Sequence, residues 1–159
     1  MKRLPQLWIC LSVLSIGLFS CQREEVQAIN SLEGNWNITA ITSYYGEFDE
    51  TAFNPTETVE EAGQLGTMQF EAETVRFNFS RNDSLFAGNS DWALEFEKVN
   101  EGFFRVPRYT LFIDALGTFE VQFEDDTKNA QRDAQNAIFR EVTDTPQERI
   151  VHFTLEKVE

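Results

Sequence analysis

The feature that most constrains the fold of this chain is a strict alternation of apolar and polar residues. Side chains of a β-strand point alternately to two faces, so an apolar residue at every second position predicts a half-buried strand. This alternation is clear at residues 36–40, 75–79, 92–96, 119–123 and 151–155 and weaker at 66–72, 109–114 and 137–142. The sequence therefore predicts eight antiparallel strands, each with one face toward a core and one toward water.

Turn-forming residues separate most of the predicted strands. Groups rich in Gly, Asn, Asp, Ser or Pro are typical of turns, and they occupy Arg81–Ser84, Gly88–Ser90, Asn100–Gly102 and Asp144–Pro146. The acidic stretch from Gly46 to Gly63 contains Pro55 and does not alternate, which predicts a long loop, or a loop with a short helix near Glu57–Ala62. The sequence of residues 127–136, TKNAQRDAQN, predicts one or two helical turns.

Eight short antiparallel strands leave edges that must be hidden from other chains. A closed barrel removes its edges completely, whereas a sandwich of two sheets protects them only in part. We therefore predict an all-β fold in which the strands form an antiparallel, up-and-down, eight-stranded barrel. A two-sheet β-sandwich is the alternative that the pattern leaves open.

The N-terminal segment predicts export from the cytoplasm. Lys2 and Arg3 precede an apolar run from Leu4 to Phe19, which is shorter than the roughly 20 residues that cross a membrane. Leu18-Phe19-Ser20-Cys21 ends the run and resembles the lipobox of bacterial lipoproteins. The resemblance implies that residues 1–20 are a signal peptide, that Cys21 is acylated, and that 21–31 form a tether to a domain over 32–159. An ordinary signal peptide cut elsewhere and a short anchor helix are the alternatives.

The residues after Cys21 bear on the location of the protein. Gln22-Arg23-Glu24-Glu25 is similar to the acidic surface-export signal of Bacteroidota lipoproteins, although a solvated linker has the same composition. The resemblance implies a lipid-anchored protein of the cell envelope, at the outer membrane, facing either the periplasm or the cell surface. Its first partner is then the membrane itself, reached through the lipid on Cys21.

A second resemblance concerns the domain that follows the tether. Leu32-Glu33-Gly34-Asn35-Trp36 resembles the G-x-W start of lipocalins, and lipocalin-like lipoproteins of Bacteroidota open in this way. The resemblance implies a lipocalin-like barrel in which the tryptophan packs across the closed end. It agrees with the eight strands that the alternation predicts independently.

Charge and cysteine content exclude several classes of function. The chain carries a net charge of −14, which repels phosphate backbones and argues against nucleic-acid binding and against flat adsorption on anionic lipid. Its cysteines are Cys10, within the predicted signal peptide, and Cys21, the predicted lipid site. We therefore expect no disulfide in the mature chain, whose many aromatic residues must build the core alone.

The sequence offers little to catalysis. The single histidine, His152, stands at an outward position between two apolar residues and is predicted to be an ordinary surface side chain. One histidine and no free cysteine leave no set of zinc, copper or haem ligands, and phosphate-binding and serine-hydrolase motifs are absent. We predict that the protein is not an enzyme and has neither a catalytic site, a metal site nor a cofactor.

Two functions of different classes remain. The first is binding of a small hydrophobic ligand inside the barrel, lined by Trp92, Phe77, Phe96, Phe119 and Phe123. The second is a non-catalytic interaction or structural subunit of a cell-envelope complex, in which the protein's own side chains fill the barrel. A separate modification is predicted at Ser84, because Asp83-Ser84-Leu85 looks like the O-glycosylation triplet of exported Bacteroidota proteins.

Overall fold

A computed structural model describes residues 26–48, 53–102, 104–123, 134–142 and 149–158 of the 159-residue chain. The predicted signal peptide, Cys21 and residues 22–25 lie outside these ranges. The predicted turn at Asp144–Pro146 and most of the predicted helical turn over 127–136 also lie outside them.

The described strands form one closed barrel, in which each strand is antiparallel to the next and β1 also pairs with β8. The predicted all-β, up-and-down, eight-stranded barrel is therefore confirmed, and the sandwich alternative is not adopted. The strands are β1 (Gly34–Phe48), β2 (Phe53–Phe70), β3 (Thr74–Arg81), β4 (Ser84–Glu101), β5 (Phe104–Ile113), β6 (Gly117–Phe123), β7 (Asn136–Val142) and β8 (Arg149–Lys157).

Register explains why the alternating residues form a core. Val121 on β6 lies opposite Phe139 on β7, and Phe139 lies opposite Phe153 on β8. All three are buried, as are Tyr109 and Ile41 on the same row. The row displaced by one residue, which contains Glu120 and Arg140, points away from the core. Because side chains alternate strictly along every strand, each strand gives the barrel one apolar inner face and one polar outer face.

The predicted loop over Gly46–Gly63 is wrong for the residues that the structure describes. Residues 53–63 form the first part of β2, with no helix near Glu57–Ala62. Residues 53–62 pair with β1 alone, whereas β3 pairs with β2 only from Gly66 onward. This half of the hairpin projects past the barrel and is exposed on both faces, so nothing there demands an alternating pattern.

Two predicted turns had different outcomes. The turn at Arg81–Ser84 is confirmed, with Asn82 and Asp83 at positive φ values of 49° and 58°, the geometry of a tight two-residue hairpin. The turn at Gly88–Ser90 is wrong, because these residues lie inside β4. Gly88 sits against the ring of Phe77 on β3, so the glycine makes room for a neighbouring aromatic side chain rather than for a turn.

A short helix, α1 (residues 26–32), closes one end of the barrel. Leu32 is fully buried, and its carbonyl accepts a hydrogen bond from Trp36 Nε1 at 2.7 Å. The ammonium group of Lys157 lies 5.3 Å from the centre of the Trp36 ring and donates to the carbonyl of Ser31 at 2.7 Å. Both bonds satisfy carbonyls that a helix C-terminus leaves unpaired. Residues 26–31, which the sequence analysis assigned to the tether, are thus part of a helix that packs on the barrel.

Candidate functional site

The residues predicted to line an interior ligand site lie in or beside the core. Trp92, Phe77 and Phe119 are buried, with exposed fractions of 9%, 6% and 2%. Phe96 and Phe123 are partly buried and pack against the core cluster. The structure therefore brings all five to the interior of the barrel, three of them within the core cluster and two packed against it.

Aromatic rings in contact run through the larger group. Phe119 contacts Phe139 and Phe153, with ring centres 6.3 and 5.8 Å apart. Phe139 also contacts Phe70, which meets Trp92 edge-on at 5.3 Å. Edge-to-face pairs at these distances contribute about 0.5–1.5 kcal/mol each beyond the burial of area. The protein's own rings thus pack against one another through the core from Trp92 to Phe153.

The smaller group lies where β4, β5 and β6 approach one end of the barrel. The ring of Tyr109 stands between Phe96 and Phe123, with centres 5.4 and 5.6 Å away. Tyr109 is buried, whereas its two neighbours are only partly covered. Phe123 also borders a large cavity whose lining is mainly on the outside of the barrel.

This cavity, which we call the outer groove, has a volume of about 1040 Å³. Its lining combines outward-facing side chains of β5, β6, β7 and β8 with residues of the β1–β2 and β4–β5 hairpins, and it also reaches Tyr109, Val121 and Phe123 of the inner face. The lining residues that matter for its chemistry are Tyr44, Phe53, Val99, Val106, Arg108, Glu120, Ile138, Arg140, Ile150 and His152.

The floor of the groove carries charges of alternating sign on three successive strands, Arg108 on β5, Glu120 on β6 and Arg140 on β7, and Glu97 on β4 pairs with Arg108 beside it. Glu120 Oε1 lies 3.4 Å from Arg108 Nε, and its other oxygen lies 3.6 Å from Arg140 Nη1. Arg108 Nη1 in turn lies 3.8 Å from Glu97 Oε1. All four side chains are more than a third exposed, so these pairs are screened by water and contribute little to stability. Their donors and acceptors remain accessible to a bound molecule.

Apolar side chains stand at the two ends of the groove. At one end, Ile150 is only 8% exposed although it faces outward, because Tyr44 lies directly across from it. Phe53, at the tip of the β1–β2 hairpin, borders the same end. At the other end, Val99 and Val106 face each other across the β4–β5 hairpin. The groove therefore has apolar side chains at both ends and, between them, the charged row with Ile138 beside it.

His152 lies beside the first of these apolar ends. Its ring meets the Tyr44 ring edge-on, with ring centres 5.0 Å apart. Its cross-strand partner on β7 is Arg140. Burial lowers the pKa of His152 below 6.5, and the positive charge of Arg140 lowers it further. The imidazole is therefore neutral at pH 7, when it can both donate and accept a hydrogen bond.

Sequence reasoning did not find the groove. It placed Glu120 and His152 on polar faces of strands, which is correct, but a polar face by itself signals only contact with water. The residues come from different strands, and only the register of β5 to β8 sets them in one row. The alternation of charge sign from strand to strand would have been a usable signal once that register was known.

The predicted glycosylation residue, Ser84, lies on exposed surface where β4 begins, directly after the Asn82-Asp83 turn. Its hydroxyl is 3.5 Å from the carbonyl of Asn82. A sugar at this position would meet no buried neighbour. The site itself remains a prediction.

Comparison with known proteins found no matching family model, curated protein or solved structure. Within the described ranges, no three His, Cys, Asp or Glu side chains form a group that could hold a metal ion. No helix of the described residues is long and apolar enough to cross a membrane.

Proposed function

We propose that this protein is a lipid-anchored, non-catalytic binding module of the cell envelope, and that its partner binds in the outer groove while the barrel serves as a filled scaffold. The observation that carries the proposal is the contrast between the two spaces. Aromatic rings in contact run through the core of the barrel from Trp92 to Phe153. The volume of about 1040 Å³ lies mainly outside that core, at the upper end of the size of ligand sites.

The lipocalin-like alternative, a small hydrophobic ligand inside the barrel, has one specific observation in its favour. Phe96 and Phe123 are only partly buried, so the smaller aromatic group has a face that a ligand could cover. A ligand there would occupy the end of the barrel rather than its centre. Native mass spectrometry of protein purified from envelopes tests this alternative, which requires a stoichiometric apolar passenger.

Site-specific photo-crosslinking in intact cells tests the proposed function. A benzoylphenylalanine at Val106, in the groove, is expected to give adducts with an envelope component. The matched position is Leu85, an apolar residue of β4 that is 73% exposed and does not line the groove. Equal adducts from both positions, or adducts from Leu85 alone, would contradict the assignment of the groove.

The lipid anchor requires its own measurement. Metabolic labelling with a fatty-acid analogue is expected to mark the native chain and not the Cys21→Ala variant. Firm attachment requires at least two acyl chains, since each buried methylene contributes about 0.8 kcal/mol. Equal labelling of both chains would contradict the lipid anchor on Cys21 and the envelope location that depends on it. Protease treatment of whole cells then distinguishes the cell surface from the periplasm.

A further inference from the structure

We propose that the occupant of the outer groove is an extended peptide segment of a partner protein, neutral or basic overall, with an apolar side chain near each end. This inference rests on the proposed function, because it names the class of molecule that the groove receives. Three observations lead to it: the order of polar and apolar residues in the groove, its hydrogen-bonding groups and the charge of the whole chain.

The order of residues along the groove argues against a lipid chain. Apolar side chains lie at both ends, while Arg108, Glu120 and Arg140 lie between them with Ile138 as an apolar neighbour on β7. A hydrocarbon laid along the groove would cover these three charges without replacing their contacts with water. Desolvating charges in this way without new partners is unfavourable. A peptide places apolar side chains at the ends and its polar backbone across the centre.

The central charges match the hydrogen-bonding groups of a peptide backbone. A guanidinium carries five N–H donors, and Arg108 and Arg140 each direct only part of theirs toward Glu120 and Glu97. The side chains of both arginines are more than 40% exposed, so a ligand can reach the remaining donors. Peptide carbonyls accept from the guanidinium groups, and peptide N–H groups donate to Glu120. Donor and acceptor side chains therefore alternate from strand to strand in the groove, and C=O and N–H groups alternate along a peptide backbone.

The charge of the chain selects among peptides. The floor is close to neutral, but the protein as a whole carries a net charge of −14. Such a field accelerates the approach of a basic partner and repels an acidic one, and salt weakens both effects. We therefore expect lysine or arginine in the bound segment.

The experiment uses the full mature chain in nanodiscs and a displayed library of twelve-residue random peptides, with sodium palmitate as a second probe. Val106→Asp places a carboxylate in the groove, and Asn78→Asp places the same charge on the exposed outer face of β3. Selected peptides are expected to be basic, to carry two apolar anchors, and to bind Val106→Asp at least tenfold more weakly than wild type. Asn78→Asp is expected to bind them as wild type does.

Hydrogen exchange locates the bound peptide and confirms that each variant is folded. Protection of β5 to β8 on binding supports the proposal. Arg140→Gln is expected to weaken peptide binding, and Arg140→Lys, which keeps the positive charge, is expected to weaken it less. Acidic consensus peptides, or equal loss in both Asp variants, would overturn it. If palmitate but no peptide protects the groove, the peptide class is wrong and the groove keeps its function. If neither probe does, the proposed function fails as well.

Discussion

His152 is the residue whose ionisation the structure defines most sharply. Its ring is half-buried beside Tyr44, and Arg140 lies across from it on β7. Thr42, its partner on β1, is uncharged, and Glu120 lies beyond Arg140. Protonation would place a second positive charge beside Arg140, in a site from which burial partly excludes water. Both effects oppose the charged imidazole in the folded protein.

We expect the pKa of His152 to lie below 6.5, with burial as the main cause and Arg140 as the second. The unfolded chain then binds this proton more readily than the folded one. The free energy of unfolding should therefore rise with pH between the folded pKa and about 6.5, and this contribution is lost as the pH falls. Because the chain has one histidine, a single imidazole resonance in a proton NMR titration measures the value.

His152→Gln provides the control for the pH dependence, since glutamine keeps a polar side chain and does not titrate. The difference in unfolding free energy between wild type and His152→Gln should vary with pH in that interval and be constant above it. Arg140→Gln should raise the pKa of His152 in the native protein. A native pKa above 6.5 would contradict the arrangement of burial and charge described for the groove.

At the scale of elements, the β1–β2 hairpin is bent at Gly46. The register between the two strands shifts between Tyr45 and Gly46, where a β-bulge interrupts the regular pairing. A Cβ atom on Gly46 would fall well inside van der Waals contact with the backbone of Asn54 and Pro55. The glycine therefore permits β1 and β2 to approach each other closely at this point of the hairpin, near its tip at Phe53.

Gly46→Ala is expected to destabilise the protein by about 1–3 kcal/mol, because rigid backbone rather than a flexible side chain opposes the new methyl group. Hydrogen exchange should become faster in residues 53–62 and change little in β5 to β7. Gln64→Ala, at an exposed position of β2, is the control and should stay within about 0.5 kcal/mol of wild type. Equal effects of the two changes would show that the bend does not depend on this glycine.

The projecting part of β2 also shows how an open edge is protected. Among the described strands, residues 53–62 pair with β1 alone, which leaves their second edge available to other chains. Pro55 interrupts the row of backbone donors, and Glu57, Glu60 and Glu61 place negative charge along the strand. These are the devices by which natural sheets avoid edge-to-edge association. The acidic composition that suggested a loop is thus explained by a strand that must not pair further.

At the scale of the whole molecule, the barrel is a single closed sheet around one aromatic core. Phe139 is fully buried and contacts both Phe70 and Phe119. Phe139→Ala is expected to cost about 3–5 kcal/mol, the loss of transfer free energy together with a cavity. Leu85→Ala, at a residue that is 73% exposed, should change stability by about 0.5 kcal/mol or less. Urea denaturation followed by circular dichroism and by tryptophan fluorescence measures both.

The two probes should report the same midpoint for each of these variants. The strand segments that line the barrel share one core and cannot unfold separately without exposing it, so the transition should be cooperative. A midpoint that differs between the probes in wild type would indicate that one arc of the barrel unfolds separately, and the view of the barrel as a rigid scaffold for the groove would then be wrong.

The sequence by itself determined the fold class, the strands whose faces alternate, and the inward position of residues such as Trp92, Phe119 and Phe153. Each of these follows from local period-two patterning, because a half-buried strand must present the core and the solvent in turn. The first half of β2 escaped prediction for the same reason. It is exposed on both faces, so burial imposed no pattern on it.

Only the tertiary structure decided which outward residues meet. Arg108, Glu120, Arg140 and His152 belong to four strands, and their positions relative to one another depend on the register of each pair. Closure of the barrel sets that register through the stagger of all eight strands, a property of the whole sheet that no single segment encodes. The groove is therefore visible only once the barrel is closed, whereas the core that supports it can be read from the chain.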